Sequence, residues 1–149
     1  MNDPYLNQIN VYHRLYTEYL KYRSLVVALD FDLTINDFHG EGHAFPQVIE
    51  LIKDCNAIGF KVVIFSGSAA ERYPIIREHC EKIGIKIDGI NEDVIDWHHD
   101  TTLNWSRSKI FYNIFLDDRA GLDSTYKVLR LLVNNIKSKM DLDDLNNSI

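Results

Sequence analysis

The stretch that most constrains this chain is Leu25-Val26-Val27-Ala28-Leu29-Asp30-Phe31-Asp32-Leu33-Thr34. Its first five residues are apolar, with no polar alternation. Such a run reads as a strand buried on both faces, the kind found in parallel sheets. A parallel neighbour is reached only through a long crossover, usually a helix, so the run commits the chain to an α/β architecture. Two carboxylates follow, Asp30 and Asp32. Side chains alternate along an extended chain, so positions two apart point the same way. The pair is expected to share a pocket past the carboxyl end of the strand, where open α/β sheets bind ligands.

Like charges at close range repel, and one pKa rises. That suits one carboxylate as nucleophile and the other as general acid/base. It also attracts a hard divalent cation, which prefers oxygen ligands. The plainer alternative makes both residues turn or helix-cap acids, since Asp is common in those places.

The rest of the chain alternates strands and helices. Asp3-Pro4 resembles a helix start, and Ile9, Tyr12, Leu15, Tyr16, Tyr19 and Leu20 recur at helical spacing to about Tyr22. This helix is rich in tyrosine, which fits a core-facing stripe with wet hydroxyls better than a partner surface. Residues 36–45, with Gly40, Gly42, His39 and His43, form a loop or short flap. Pro46 opens a helix to about Ile58, and Gly59 stops it. Phe60–Phe65 is the second strand. A helix over Ala69–Ile83 ends at Gly84, and Ile85–Ile87 is a short third strand. Asp88–Ser108 is the least regular stretch. Asn113–Leu116 is the fourth strand and ends at Asp117-Asp118. A closing helix runs from Gly121 to about Lys139, and the acidic tail over 140–149 is expected to fray. The prediction is one doubly wound, Rossmann-like parallel sheet flanked by helices, spanning all 149 residues. Its N-terminal helix covers 4–22 and its core 25–139.

Composition narrows the function. A net charge of −6 argues against a basic nucleic-acid-binding face, although not against a nucleotide held through a metal. No stretch is long and apolar enough to span a bilayer, and no signal peptide is evident. Cys55 and Cys80 are far apart and read as small buried hydrophobes of a reducing, cytoplasmic setting.

Each strand end that faces a possible pocket carries an apt residue. Asp30 and Asp32 follow the first strand, Ser66 the second, and Asp117-Asp118 the fourth, with Lys109 upstream. The acidic pair supplies oxygen ligands for Mg²⁺. Ser66 offers a hydroxyl and a following turn of N–H groups to phosphate oxygens. Lys109 can balance the negative charge of carboxylates and phosphoryl group. A nucleophile, an acid/base, a metal and a cation together point to phosphoryl transfer. The alternative for Ser66 and Asp117-Asp118 is helix capping, and for Lys109 a solvated surface lysine.

These residues, in this order, resemble the haloacid dehalogenase-like superfamily of phosphohydrolases. Asp30, Asp32 and Thr34 match its D-x-D-x-T motif, Ser66 its second motif, Lys109 its third and Asp117-Asp118 its fourth. The resemblance covers roughly residues 25 to 135. It implies that Asp30 attacks phosphorus to form an aspartyl-phosphate, that Asp32 protonates the leaving group and then activates water, and that Thr34 tunes the loop. It implies Mg²⁺ held by Asp30, the Asp32 main-chain carbonyl and Asp117, with Asp118 helping. Arg107 and Lys86 are alternatives to Lys109. Neither 36–45 nor 88–108 is long enough for a folded cap domain, which implies a capless member with an open site or one capped by a partner subunit. The oligomeric state stays open.

The expected function is therefore a Mg²⁺-dependent phosphatase acting on a small phosphomonoester, with nucleotides among the candidates. A phosphoryl-accepting receiver domain is the alternative from another class. Its acidic pair would come early and its acceptor late, the reverse of the order here. A non-catalytic binding or regulatory module on the same fold is a third. His39 with His43, and His98-His99-Asp100, resemble short metal clusters; contact between substrate and His43, Trp97 or Trp105 is a better reading than metal ligation, and solvent-exposed loop residues are the default. Arg119 can reach a phosphate or pair with a carboxylate.

Overall fold

The structure is a computed structural model, and it describes residues 3–95 and 109–148. Nine elements follow one another among the described residues. They are α1 (Gln8–Tyr22), β1 (Val26–Leu29), α2 (Pro46–Ala57), β2 (Lys61–Ile64), a 3₁₀ turn (Ala70–Arg72), α3 (Tyr73–Ile83), β3 (Gly89–Ile90), β4 (Ile114–Leu116) and α4 (Leu122–Asn147). The four strands form one all-parallel sheet in the order β3-β2-β1-β4, an α/β, Rossmann-like arrangement with flanking helices.

β1 is central, and all four of its residues are buried, which is why its sequence is apolar without alternation. Val27 and Leu29 pack into the larger core cluster with side chains from all four helices. Val26 and Ala28 face the other way, onto Val63 and Ile110, with Phe65, Phe111, Tyr112 and Phe115 packed around them. Cys55 and Cys80 are both buried and unpaired, as read from the sequence. Burial pushes their thiols up to about 12 and about 11. Among the described residues, no helix is long and apolar enough to cross a membrane.

Four boundaries differ from the sequence reading. α1 begins after Asn7, whose side chain accepts from the N–H groups of Ile9 and Asn10. Asp3-Pro4 therefore precedes the cap. The helix predicted over Ala69–Ile83 is split. Pro74 has no N–H to give the preceding turn, so Ala70–Arg72 closes as a 3₁₀ turn and Pro74 sits in the first turn of α3. The third strand is Gly89–Ile90, not Ile85–Ile87. The Ile85 N–H bonds back to Cys80, and both backbone groups of Lys86 are taken by the Asn56 amide. Pairing with β2 begins only at Asp88, whose N–H donates to the Val62 carbonyl. Finally, α4 continues through Asn147, where a fraying tail was expected. Met140 to Asn147 contains no Gly or Pro to stop it.

Strand order reverses at β1, since β2 lies on one side of it and β4 on the other. The carboxyl ends of β1 and β4 therefore flank a topological switch point, where α/β sheets open a crevice.

Candidate active site

The chain leaving β1 turns sharply. Leu33 adopts a left-handed backbone (φ 62°), and the N–H groups of Ile35 and Asn36 both donate to the Phe31 carbonyl. A branched residue in that region costs about 1 kcal/mol or more. The turn folds Thr34 inward until it is 0% exposed, the one buried polar residue among those described. The Asp30 N–H donates to the Leu116 carbonyl at 2.9 Å, fastening the ends of β1 and β4 together.

A cleft of about 440 Å³ opens over these ends. Asp30, Asp32, Ser66, Asp117 and Asp118 all line it, so five of the sequence-predicted site residues meet there. Arg72 and Arg119 supply its cations, and Phe38 and His39 its rim. Four carboxylates against two guanidinium groups leave the cleft negative, a field that draws cations in.

The two leading acids have opposite surroundings. Asp30 sits with Asp117 and Asp118, and the three offer oxygens all within 4.8 Å of one another. Burial, a hydrogen bond with the Asp118 carboxyl and the Asp117 charge push Asp30 up to about 7, against the Thr34 hydroxyl and the Phe31 N–H. Asp32 is instead gripped by Arg72 through both guanidinium nitrogens, at 2.5 and 2.8 Å, with the Asn36 amide at 2.9 Å. The fork holds the Asp32 carboxyl below the usual carboxylate range. Arg72 also donates to Ser68 at 2.9 Å, and its guanidinium lies 5.4 and 5.5 Å from the ring centres of Phe31 and Phe38.

Thr34 joins the two strand ends. Its hydroxyl lies 3.1 Å from Asp30 Oδ2 and 3.3 Å from Asp118 Oδ1, and it accepts from the Asp118 N–H at 3.2 Å. One hydroxyl proton serves one carboxylate at a time. Ser66 is held by Asn91, which accepts from the Ser66 N–H and donates to its carbonyl and to the Tyr73 hydroxyl. Asn91 adopts φ 53°, a left-handed position that Asn tolerates better than most residues. The Ser66 hydroxyl accepts from the Ser68 N–H at 3.2 Å.

Lys109 is exposed, with its ammonium 5.8 Å from the Tyr112 ring centre, and it is not among the residues lining the cleft. Lys86 sits beside the C-terminal end of α2, at the opposite end of the sheet. Arg107, Trp97, His98, His99, Asp100 and Trp105 lie outside the described residues. His43 pairs with Glu41 at 3.2 Å, while His39 reaches the cleft. Sequence reasoning overlooked Arg72, Ser68 and Asn91. Arg72 lies forty positions from Asp32, and no local spacing announces the pair.

Three carboxylates are hard oxygen ligands of the kind a divalent cation such as Mg²⁺ takes, and a cation among them would favour the ionised Asp30 that burial and the neighbouring carboxyl groups disfavour. No family model and no curated protein matches the chain. A solved structure of a conserved protein from Bacteroides thetaiotaomicron is similar, with TM-score 0.55 and 23% identity over 78% of this chain and 92% of that one. At that identity the likeness shows the fold alone.

Proposed function

We propose that this protein is a Mg²⁺-dependent phosphohydrolase that cleaves a phosphomonoester through an aspartyl-phosphate on Asp30. The observation that carries the reading is the Asp30–Asp117–Asp118 oxygen cluster at the switch point, with Asp32, Ser66 and Arg72 around the same cleft. Asp117 and Asp118 would hold the cation together with Asp30. When bound, Mg²⁺ supplies positive charge that keeps Asp30 ionised and neutralises phosphoryl oxygens.

In the first step an Asp30 oxygen bonds to phosphorus as the ester P–O bond breaks, and the departing alkoxide takes a proton. In the second, water attacks the same phosphorus, inorganic phosphate leaves and the Asp30 carboxylate is restored. Asp32, which lines the same cleft, would give and then take that proton. Its ionised pairing with Arg72 opposes the first role. A substrate phosphate is a better partner for a guanidinium fork than a single carboxylate, so binding would draw Arg72 off Asp32 and free it. The Ser66 and Ser68 hydroxyls, which bond to each other at 3.0 Å, would turn to the remaining oxygens.

The test is phosphate release from a panel of phosphomonoesters, including nucleoside 5′- and 3′-monophosphates, with Mg²⁺ or with chelator, for the wild type and Asp30→Asn. Metal-dependent release that the variant loses supports the reading. Full activity in Asp30→Asn overturns it. A receiver-like role would instead give one phosphorylation event without sustained release.

A further inference from the structure

Exposed large apolar side chains are concentrated on one side of the molecule. Eleven are exposed among the described residues, and all but Phe38 and Ile75 belong to α1, α4 or the turn leading into α1. The two helices lie side by side with a groove along their length. Near one end it is lined by Ile9, Tyr12, Val128 and Leu131, and its lining there is mostly apolar. Towards the other end it is lined by Tyr16, Leu20 and Met140, with Arg23, Lys139 and Asp143 among its walls, and its lining there is as polar as it is apolar. Lys127 stands at the first end, so the groove has an apolar floor there and basic residues at both ends, which outnumber the one acid, Asp143, at the second.

The tip of α4 has the complementary character. Residues 138–148 are all exposed. Asp141, Asp143 and Asp144 make the tip acidic, and Leu142 and Leu145 are each 59% exposed. At 100° per residue, Leu131, Leu142 and Leu145 fall within about 60° of one another, one continuous stripe. Two and a half turns of helix carrying an unpacked leucine stripe gain little from helix formation alone.

We infer that this chain forms a two-fold dimer in which the acidic, leucine-bearing tip of α4 from each copy lies in the basic-walled α1–α4 groove of the other. An amphipathic helix in an apolar groove is a common recognition mode, and a closed two-fold arrangement satisfies both grooves and both tips at once. The occupant is a second copy because the chain itself carries both halves of the match: leucines for the floor and aspartates for Lys127, Lys139 and Arg23. The exposed Lys127–Asp123 pair, 2.8 Å apart, is worth little in water and does not compete strongly. None of these residues lines the cleft, so the inference stands apart from the hydrolase reading.

Sedimentation velocity on the full chain, across a concentration series, tests it. The wild type is expected to be dimeric. The double substitution Leu142→Glu, Leu145→Glu and the single Ile9→Glu should each give monomer with unchanged circular dichroism. Ile75→Glu, equally exposed but on α3, should stay dimeric. Lys127→Glu with Lys139→Glu should weaken the dimer at least about tenfold, a loss of about 1.4 kcal/mol. Adding Asp141→Lys and Asp144→Lys, neither of which lines the groove of its own chain, to that variant should restore it. A wild type that is monomeric throughout, a dimer that survives the leucine substitutions, equal dissociation by Ile75→Glu, or a charge swap without rescue would each overturn the arrangement.

Discussion

Replacing Asp30 with Asn should make the metal-free protein more stable while removing its activity. Asp30 titrates at about 7 in the fold against an ordinary value of 3.8, because it is half-buried beside two other carboxyl groups. A carboxyl whose folded pKa is raised contributes stability that is fully present below its unfolded pKa. That contribution is lost as pH rises through the folded pKa. The wild type therefore loses stability between about pH 4 and pH 7, and Asp30→Asn, which does not titrate, escapes that loss. Moving from 3.8 to about 7 corresponds to an upper bound of about 4 kcal/mol. The group is partly exposed, and solvent screening reduces the effect to roughly 2 kcal/mol. For a chain of this length that is about 6 °C in Tm. The Asn amide can also donate to Asp118, where the ionised Asp30 could only repel it. Thermal melts in chelator at pH 5 and pH 8 read the difference: a small gap at pH 5, the full gap at pH 8. Adding Mg²⁺ should close the gap by stabilising the wild type. Equal stability of the two proteins at both pH values would refute the reasoning, since it would mean the cluster is not electrostatically crowded.

Arg72→Ala should slow phosphate release by about 10- to 100-fold, as expected for a charge-assisted bidentate contact worth 1.5–3 kcal/mol. It should also move the alkaline limb of the kcat/KM–pH profile upward, because Asp32, the proposed proton donor, loses the cation that lowers its pKa. An unchanged alkaline limb in steady-state kinetics would count against the pairing. Thr34→Val keeps the shape but strands the Asp118 N–H and an Asp30 oxygen, and urea unfolding should show a loss of about 1–3 kcal/mol. Asn91→Ala releases both backbone groups of Ser66, and a raised KM with a smaller change in kcat is the expected kinetic signature. Chelator should abolish turnover while circular dichroism shows the fold intact, because the sheet and its core do not depend on the carboxylate cluster.

The sheet was legible because its signals are short-range. An unbroken apolar run can only be buried on both faces, and Gly84, at φ 80° just past α3, marks a helix end whatever lies elsewhere. Asp30, Asp32, Ser66 and the Asp117-Asp118 pair were legible for a related reason: each follows a strand, and parallel strands deliver their carboxyl ends to one edge. What escaped was set by partners distant in sequence. Ile85–Ile87 has as good a strand composition as Gly89–Ile90, but Asn56 claims the Lys86 backbone, and nothing near Lys86 announces that. Arg72 looked like an ordinary helix residue until the fold set its guanidinium between Phe31 and Phe38 and against Asp32.

The alternation rule put Asp30 and Asp32 in one cleft, yet it could not tell them apart, and the proposed two-step phosphoryl transfer requires that they differ. Pairs of titratable groups driven in opposite directions mark acid and base assignments. Here the direction is the reverse of the working one. Asp30, the proposed nucleophile, holds its proton to about 7, and Asp32, the proposed acid, is held ionised by Arg72. Both inversions have the same cure. A divalent cation on Asp30, Asp117 and Asp118 would strip the proton from the nucleophile. A phosphate in the cleft would take Arg72 from the acid. The chemistry would then begin only when metal and substrate are both in place, and the resting charges would keep Asp30 and Asp32 from acting on either alone.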